Sequence, residues 1–188
     1  VQIVVTFKDH ILEDYAKRLD RLSGGEGMGL MAAALNEGGA AVREQTVSAE
    51  TAQTGLQHDT LDRAQQEIPA SASSLAYTIQ SHGGNVRLKY FGAKEGGGGV
   101  TAHPWNRSTF YGGAWINSGF HGNRAPSPKL GGHVYRRTGA ARLPITQVRS
   151  GLFIPTEMTK GKTASTFDAA SATVLATTVL SRLGALLP

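Results

Sequence analysis

A chain of 188 residues with 40% hydrophobic and 18% charged residues is long enough to bury a core and too apolar to stay disordered, while its longest apolar stretches fall short of the roughly 18 residues a bilayer span needs. It contains no cysteine, which excludes disulfides and thiolate-based metal or redox chemistry and suits a reducing cytoplasm. The net charge of +5 and pI near 9.7 are compatible with nucleic acid or an acidic partner surface, but Lys and Arg are spread along the whole chain and basicity alone selects neither.

The N-terminal residues lack the basic, apolar and small-residue order of a signal peptide, so secretion by that route is not expected. Residues 2–7 are rich in Val and Ile and alternate weakly, which predicts a short strand. A helix follows from about Ile11 to Leu22, with Ile11, Leu12, Tyr15, Leu19 and Leu22 on one face, stopped by Ser23-Gly24-Gly25. A second helix is expected from about Met28 to Ala49, with an alanine-rich surface suited to close packing. Gly38-Gly39 is expected to bend or interrupt it, since a glycine costs about 1 kcal/mol relative to alanine inside a helix. Asp59 to Ile68 reads as a short helix stopped by Pro69.

From Leu75 to about Phe153 the pattern changes to short β-branched and aromatic runs separated by turn clusters. The runs are Ala76 to Gln80, Val86 to Phe91, Thr109 to Ile116, His133 to Arg137 and Ile145 to Phe153, the pattern of an antiparallel sheet with hairpins. Two intervening segments, Gly92 to Trp105 and His121 to Leu130, are glycine- or proline-rich and read as long loops. Helical spacing returns in Phe167, Ala170, Val174, Leu175, Val179 and Leu183, with Ser165 and Asp168 placed as a capping box. The order predicts one α+β domain over residues 1–188: a helical part at about 9–69, a β-rich part at about 75–155 and a C-terminal helix at about 165–184, the helices packed on an antiparallel sheet. With 24 glycines, several in runs, much of the backbone is free, and ordering it against neighbouring subunits would recover that entropy.

The six histidines (His10, His58, His82, His103, His121 and His133) include no pair at helical ligand spacing, so no metal site is expected. Gly161-Lys162-Thr163 lacks the upstream glycine of a phosphate-binding loop, position 156 being Thr, and reads as a linker into the last helix. No Gly-x-Ser-x-Gly nucleophile elbow occurs. Arg136, Arg137, Arg142 and Arg149, with Lys129 nearby, are read as surface or subunit-interface arginines in preference to phosphate contacts. Trp105, Phe110, Tyr111 and Trp115 are read as core or interface anchors in preference to a base-stacking platform. These readings carry no catalytic residue, cofactor or metal.

Two stretches carry a family resemblance. The first is Val86-Arg87-Leu88-Lys89-Tyr90-Phe91-Gly92-Ala93-Lys94, followed by Val100-Thr101-Ala102 and by Tyr111-Gly112-Gly113-Ala114-Trp115-Ile116. The second is Val134-Tyr135-Arg136-Arg137-Thr138-Gly139-Ala140-Ala141-Arg142-Leu143-Pro144-Ile145, leading into Ser150-Gly151-Leu152-Phe153-Ile154-Pro155. Together they cover about the middle half of the chain and resemble the minor tail protein Z family of lambda-like phages and prophages, with Arg142-Leu143-Pro144-Ile145 as the most specific piece.

The resemblance implies a non-enzymatic virion protein, a tail-completion or neck subunit joining the tail to the head connector; a tail terminator or head-closure subunit is the neighbouring alternative. It implies a ring of copies, sixfold expected and twelvefold the alternative, in contact with tail, neck or connector proteins. It also implies genomic DNA passing through the lumen without sequence-specific contact, and a location in the virion, with the host cytoplasm during assembly. No membrane partner or cofactor is expected. The interface is expected on Lys89, Tyr90, Phe91, Trp105, Tyr111, Trp115, Arg136, Arg137, Arg142, Leu143, Pro144 and Ile145. Two rivals from other classes are a DNA-binding module, motivated by the charge, and a cell-wall hydrolase, which would require convergent carboxylates or a histidine metal site.

Overall fold

A computed structural model describes residues 24–118 and 124–184; the strand expected over residues 2–7 and the helix expected from Ile11 to Leu22 lie outside them. The architecture is mixed α+β, as expected, with a long N-terminal helix, a C-terminal helical segment and several small antiparallel sheets. In chain order the elements are α1 (Gly25–Thr54), α2 (His58–Ala64), β1 (Gln65–Ile68), β2 (Thr78–Ser81), β3 (Asn85–Arg87), β4 (Lys94–Gly96), β5 (Gly99–Ala102) and β6 (Thr109–Gly112). They continue with β7 (Ala114–Trp115), β8 (Tyr135–Arg137), β9 (Ile145–Gln147), β10 (Arg149–Phe153), α3 (Ile154–Met158), α4 (Gly161–Ala170) and α5 (Ala176–Gly184). Two compact units divide the described residues, one of residues 24–42, 67–78 and 170–184, the other of residues 43–66, 79–118 and 124–169.

In the first unit the expected break at Gly38-Gly39 does not occur: α1 runs through both. The reason is packing. A Cβ on Gly38 would lie 2.8 Å from Leu175 Cδ1, and one on Gly39 would fall into the Tyr77 ring. The helix accepts the propensity penalty of two glycines because their bare backbone admits these neighbours. Ala32, Ala34 and Val42 are buried along the same stretch. The Asn36 amide brackets Ala70, donating to its carbonyl at 3.0 Å and accepting its N–H at 2.7 Å. Glu37 pairs with Arg182 at 2.6 Å on the surface. A π-helical turn at Ser171–Leu175 separates α4 from α5, and the Thr177 and Thr178 hydroxyls donate back to Thr173 O and Val174 O at 2.7 and 2.8 Å.

The second unit holds an apolar core of Val47, Leu56, Leu61, Val86, Leu88, Phe91, Val100, Ala102, Ala114, Val134, Leu152 and Ile154. Helix α1 reaches it with its C-terminal end, five residues beyond the expected limit, and stops at Gly55, which takes φ +76 and donates its N–H to Thr51 O. The single sheet expected over Leu75 to Phe153 is instead several small ones: β3 pairs with β10, β4-β5-β6 form one three-stranded sheet and β7-β8-β9 another. Val86 to Phe91 is a strand only as far as Arg87; Leu88–Phe91 turns into a 3-10 helix, which lets both Leu88 and Phe91 face the core. The expected long loop from Gly92 to Trp105 is mostly a tight hairpin, β4 to β5, with its register set by Glu95 opposite Val100. At its end Gly99 has no room for a side chain, because the exposed Phe110 ring lies 2.7 Å from where a Cβ would stand. The capping box expected at Ser165 is also corrected: α4 begins at Gly161, and Ser165 Oγ donates to Lys162 O.

Candidate functional site

Three arrangements in the second unit bring chemistry-bearing side chains together. The first is the β8–β9 hairpin. Thr138 N–H and Thr138 Oγ both donate to Pro144 O, at 3.3 and 3.2 Å, closing its base. Arg136, Arg137, Arg142, Leu143 and Pro144 are all exposed, Leu143 at 67%, and Ile145 is half-buried. The basic cluster expected from the sequence is thus divided: Arg136, Arg137 and Arg142 ride on this arm with the most specific stretch of the resemblance, Arg149 lies on β10, and Lys129 lies in the 3-10 turn Pro128–Leu130.

The other residues expected at an interface divide by their surroundings. Tyr90 is exposed, with Lys89 Nζ 5.2 Å from its ring centre. Trp115 is half-buried and stacks on Tyr135 across β7 and β8, ring centres 5.7 Å apart. Phe91, expected at the interface, is a core residue at 3% exposure, because the 3-10 turn rotates it inward. Trp105 and Tyr111 pack against that core as well, and burial pushes the Tyr111 hydroxyl pKa up. Trp105 takes left-handed backbone, φ 53, as does Asn106 at φ 57. Asn106 is held there by donation to Ala52 O at 2.9 Å, and the Trp105 indole helps hold the Glu157 carboxyl below its ordinary value.

The second arrangement is the buried polar layer that receives that indole. Glu50 is fully buried, and Glu157 and Gln65 nearly so. Gln65 Nε2 donates to Glu50 Oε2 at 2.6 Å, while Glu50 Oε1 and Gln65 Oε1 have no hydrogen-bond partner. Protonation of Glu50 would put a donor on the atom that lacks one. Burial pushes its pKa up to about 7, against the opposing Gln65 hydrogen bond and with a further push from the Glu157 charge. Burial acts on Glu157 in the same direction, but hydrogen bonds from Lys160, Gln53 and Trp105 outweigh it and hold that carboxyl below its ordinary value. Gln53 is the hub. Its Nε2 donates to Glu157 Oε2 at 2.9 Å, and its Oε1 accepts from Thr163 N–H and Oγ at 3.1 and 3.2 Å, capping α4 from outside that helix. The two carboxylates are 0% and 2% exposed; Glu50 ties α1 to β1 through Gln65, and Glu157 ties α3 to α1 through Gln53.

The third arrangement is cationic. Arg87 on β3 stands directly opposite Arg149 on β10, so both side chains leave the same face of the ribbon. Arg87 Nη1 lies 3.4 Å from His133 Nε2, Arg149 Nη1 donates to Asn85 O at 3.0 Å, and Lys89 Nζ reaches Gly131 O at 3.5 Å. Burial first, then the charges of Lys89, Arg87 and Arg149, lower the His133 pKa. Like charges placed opposite each other on a ribbon are destabilising, and among the described residues none of the three cations is ion-paired with a carboxylate.

The sequence reading missed this set apart from Lys89 and Arg149, although a signal was present. Basic residues are indeed spread along the chain, but acidic ones are not: residues 86–153 contain ten Lys or Arg and one acidic residue, Glu95, against nine basic and thirteen acidic residues elsewhere. Glu95 itself is committed, accepting from the Ile116 and Asn117 N–H groups at 2.9 and 2.8 Å and pairing with Arg124 at 2.6 Å. That clasp and the Ser118–Ala125 bridge join Glu95 and residues 116–118 to Arg124 and Ala125. Among the described residues no group of three or more His, Asp or Glu could hold a metal ion, and no helix is long and apolar enough to cross a membrane. Comparison with protein-family models, with curated proteins and with solved structures finds nothing that matches this chain.

Proposed function

We propose that this chain is a non-enzymatic structural subunit of a tailed-phage virion, a tail-completion or neck protein that acts as one copy in a ring, sixfold in the first instance. The observation that carries the reading is the β8–β9 arm. Its base is hydrogen-bonded shut and its tip, Ala140 to Pro144, is exposed, with Leu143 presented to solvent. This tip contains most of the stretch that most resembles the minor tail protein Z family. Residues that contribute little to their own fold, yet form the most specific part of a motif, are best explained by contacts with another subunit. Burial of both carboxylates in the polar layer adds support, since it gives them a structural task.

The ring's neighbours would be tail and connector proteins, and a tail-terminator or head-closure subunit would use the same kind of arm. Light scattering of the purified full chain tests the proposal. The expected result is a mass that rises with concentration to a multiple of the 19.8 kDa protomer, and a return to the protomer in Leu143→Asp with an unchanged circular dichroism spectrum. A species that stays at the protomer mass at every concentration, alone and with tail or connector fractions, would overturn it.

A further inference from the structure

We propose that the face of the β3–β10 ribbon carrying Arg87, Arg149, Lys89 and His133 is a binding site for the phosphodiester backbone of duplex nucleic acid. This reading concerns residues other than the β8–β9 arm and does not depend on the ring.

The ribbon carries an unfavourable arrangement on this face. Arg87 and Arg149 are cross-strand partners, a position where opposite charges contribute stability and like charges remove it. Lys89, two residues beyond Arg87, adds a third cation to the same neighbourhood, and its ammonium is directed to Gly131 O. The Arg87 guanidinium lies against His133 Nε2, which can accept from it only as the neutral imidazole. The histidine's other nitrogen, Nδ1, is buried and has no hydrogen-bond partner. Three fixed charges and an uncharged but protonatable ring thus converge, and the hydrogen bonds of the two guanidinium groups go to a backbone carbonyl and to this ring. Guanidinium groups offer planar, forked donors that match phosphate oxygens.

The sign of the occupant follows from the cluster; its class follows from the supply of negative charge in the chain. A second copy of this protein is a poor source. Glu37, Glu44, Asp62, Glu95 and Glu157 are already paired with Arg182, His58, Arg43, Arg124 and Lys160, and Glu50 is buried. Residues 1–23 carry four acidic residues matched by four basic ones. The remaining acidic residues, Glu26, Asp59, Glu67 and Asp168, are scattered between positions 26 and 168, so a neighbouring copy offers isolated carboxylates and no contiguous run to match the excess of basic residues over 86–153. A polymer with one negative charge about every 1.7 Å along its axis matches it without demanding any sequence, and such contacts read the backbone alone.

The test is fluorescence anisotropy of a short labelled duplex with the full-length chain, from about 50 to 200 mM salt. Each phosphate neutralised contributes about −0.9 to the slope of log K against log salt, so three cations predict a slope of about −3 or steeper. Arg87→Gln with Arg149→Gln should make that slope shallower by about 2 and weaken binding at least about tenfold at 0.1 M salt. Arg136→Gln with Arg137→Gln serves as the control, removing the same charge from the arm. Polyglutamate of matched charge is the second probe, and light scattering of each variant separates failure of this site from failure of assembly.

Equal losses in the two double variants would overturn the proposal, because the effect would then be net charge and not this site. Polyglutamate binding as tightly as the duplex would overturn it in favour of an acidic protein partner. Absence of duplex binding at the lowest salt, with intact circular dichroism, would end it outright. A normal assembly state in Arg87→Gln with Arg149→Gln alongside the predicted DNA loss supports it and leaves the ring proposal standing.

Discussion

Replacing Glu50 by Gln tests the electrostatics of the buried layer. In the folded chain burial raises this carboxyl from 4.5 to about 7, so between those pH values the folded state holds a proton that the unfolded state has released. The stability contributed by neutral Glu50 is fully present below pH 4.5 and is lost as pH rises through about 7. At about 1.4 kcal/mol per pH unit the whole loss comes to about 3 kcal/mol, a large part of a typical domain's stability. Glu157 has the opposite sign: its lowered value contributes stability that disappears as pH falls below the ordinary carboxylate range, so the two carboxylates act in different windows.

Glutamine keeps the shape of Glu50 and is neutral at every pH. Its carbonyl can still accept from Gln65, and its amide supplies a donor where Oε1 has no partner. Urea denaturation followed by circular dichroism at intervals from pH 5 to pH 8 should therefore show the variant gaining on the wild type by about 2 to 3 kcal/mol across the series. The comparison cancels titrations common to both proteins. Parallel stability curves for the two proteins across that range would refute the reasoning, since they would mean that Glu50 is already charged in the folded state at pH 5, as it is in the unfolded chain.

Other perturbations have equally definite outcomes. Gly39→Ala should raise helix propensity by about 1 kcal/mol yet destabilise the chain by about 1 to 3 kcal/mol net, because the new methyl enters the Tyr77 ring; a raised melting temperature would contradict the packing. Gln53→Ala removes the donor to Glu157 and the acceptor of Thr163, and should cost about 2 to 3 kcal/mol while moving the acid limb of the stability curve toward higher pH, read by the same denaturation series. Leu152→Ala, at a fully buried core position, should cost about 2 to 5 kcal/mol. If nucleic acid occupies the Arg87–Arg149 face, its phosphates offset the cations that depress His133, so duplex affinity should rise as pH falls through the ordinary histidine range. His133→Gln should flatten that dependence, as measured by anisotropy at constant salt.

The α+β class, the helical start and end, and the position of most strands were legible in the hydrophobic periodicity, because periodicity reports which face of an element is buried. What it does not report is what an element packs against. Gly38 and Gly39 look like helix breakers until Leu175 and Tyr77 are known to occupy the space they leave. Val86 to Phe91 alternates well enough to be a strand, but burying Leu88 and Phe91 together requires a spacing of three, which the 3-10 turn supplies. The same turn explains why Phe91 was legible as an important residue and not as a core one.

For the candidate sites the lesson is similar. The arm at Arg136 to Ile145 was found from motif resemblance, whereas the pairing of Arg87 with Arg149 depends on strands separated by about sixty residues and is invisible without the register. Only its shadow, the near absence of acidic residues over 86–153, could have been read beforehand. The polar layer left still less trace, since nothing local marks Gln53 as the residue that caps a helix more than a hundred positions away.

Beside the contact between Phe110 and Gly99 lies a backbone constraint that fixes only one of the two positions. A substituent at 99 would strike both that ring and the Tyr111 carbonyl, 2.5 Å from where its Cβ would stand, so the backbone holds 99 to glycine whatever side chain occupies 110. In sister sequences carrying this hairpin, glycine at 99 should therefore persist while 110 varies, and a chimera that brings any other residue to 99 should lose the β5–β6 register first.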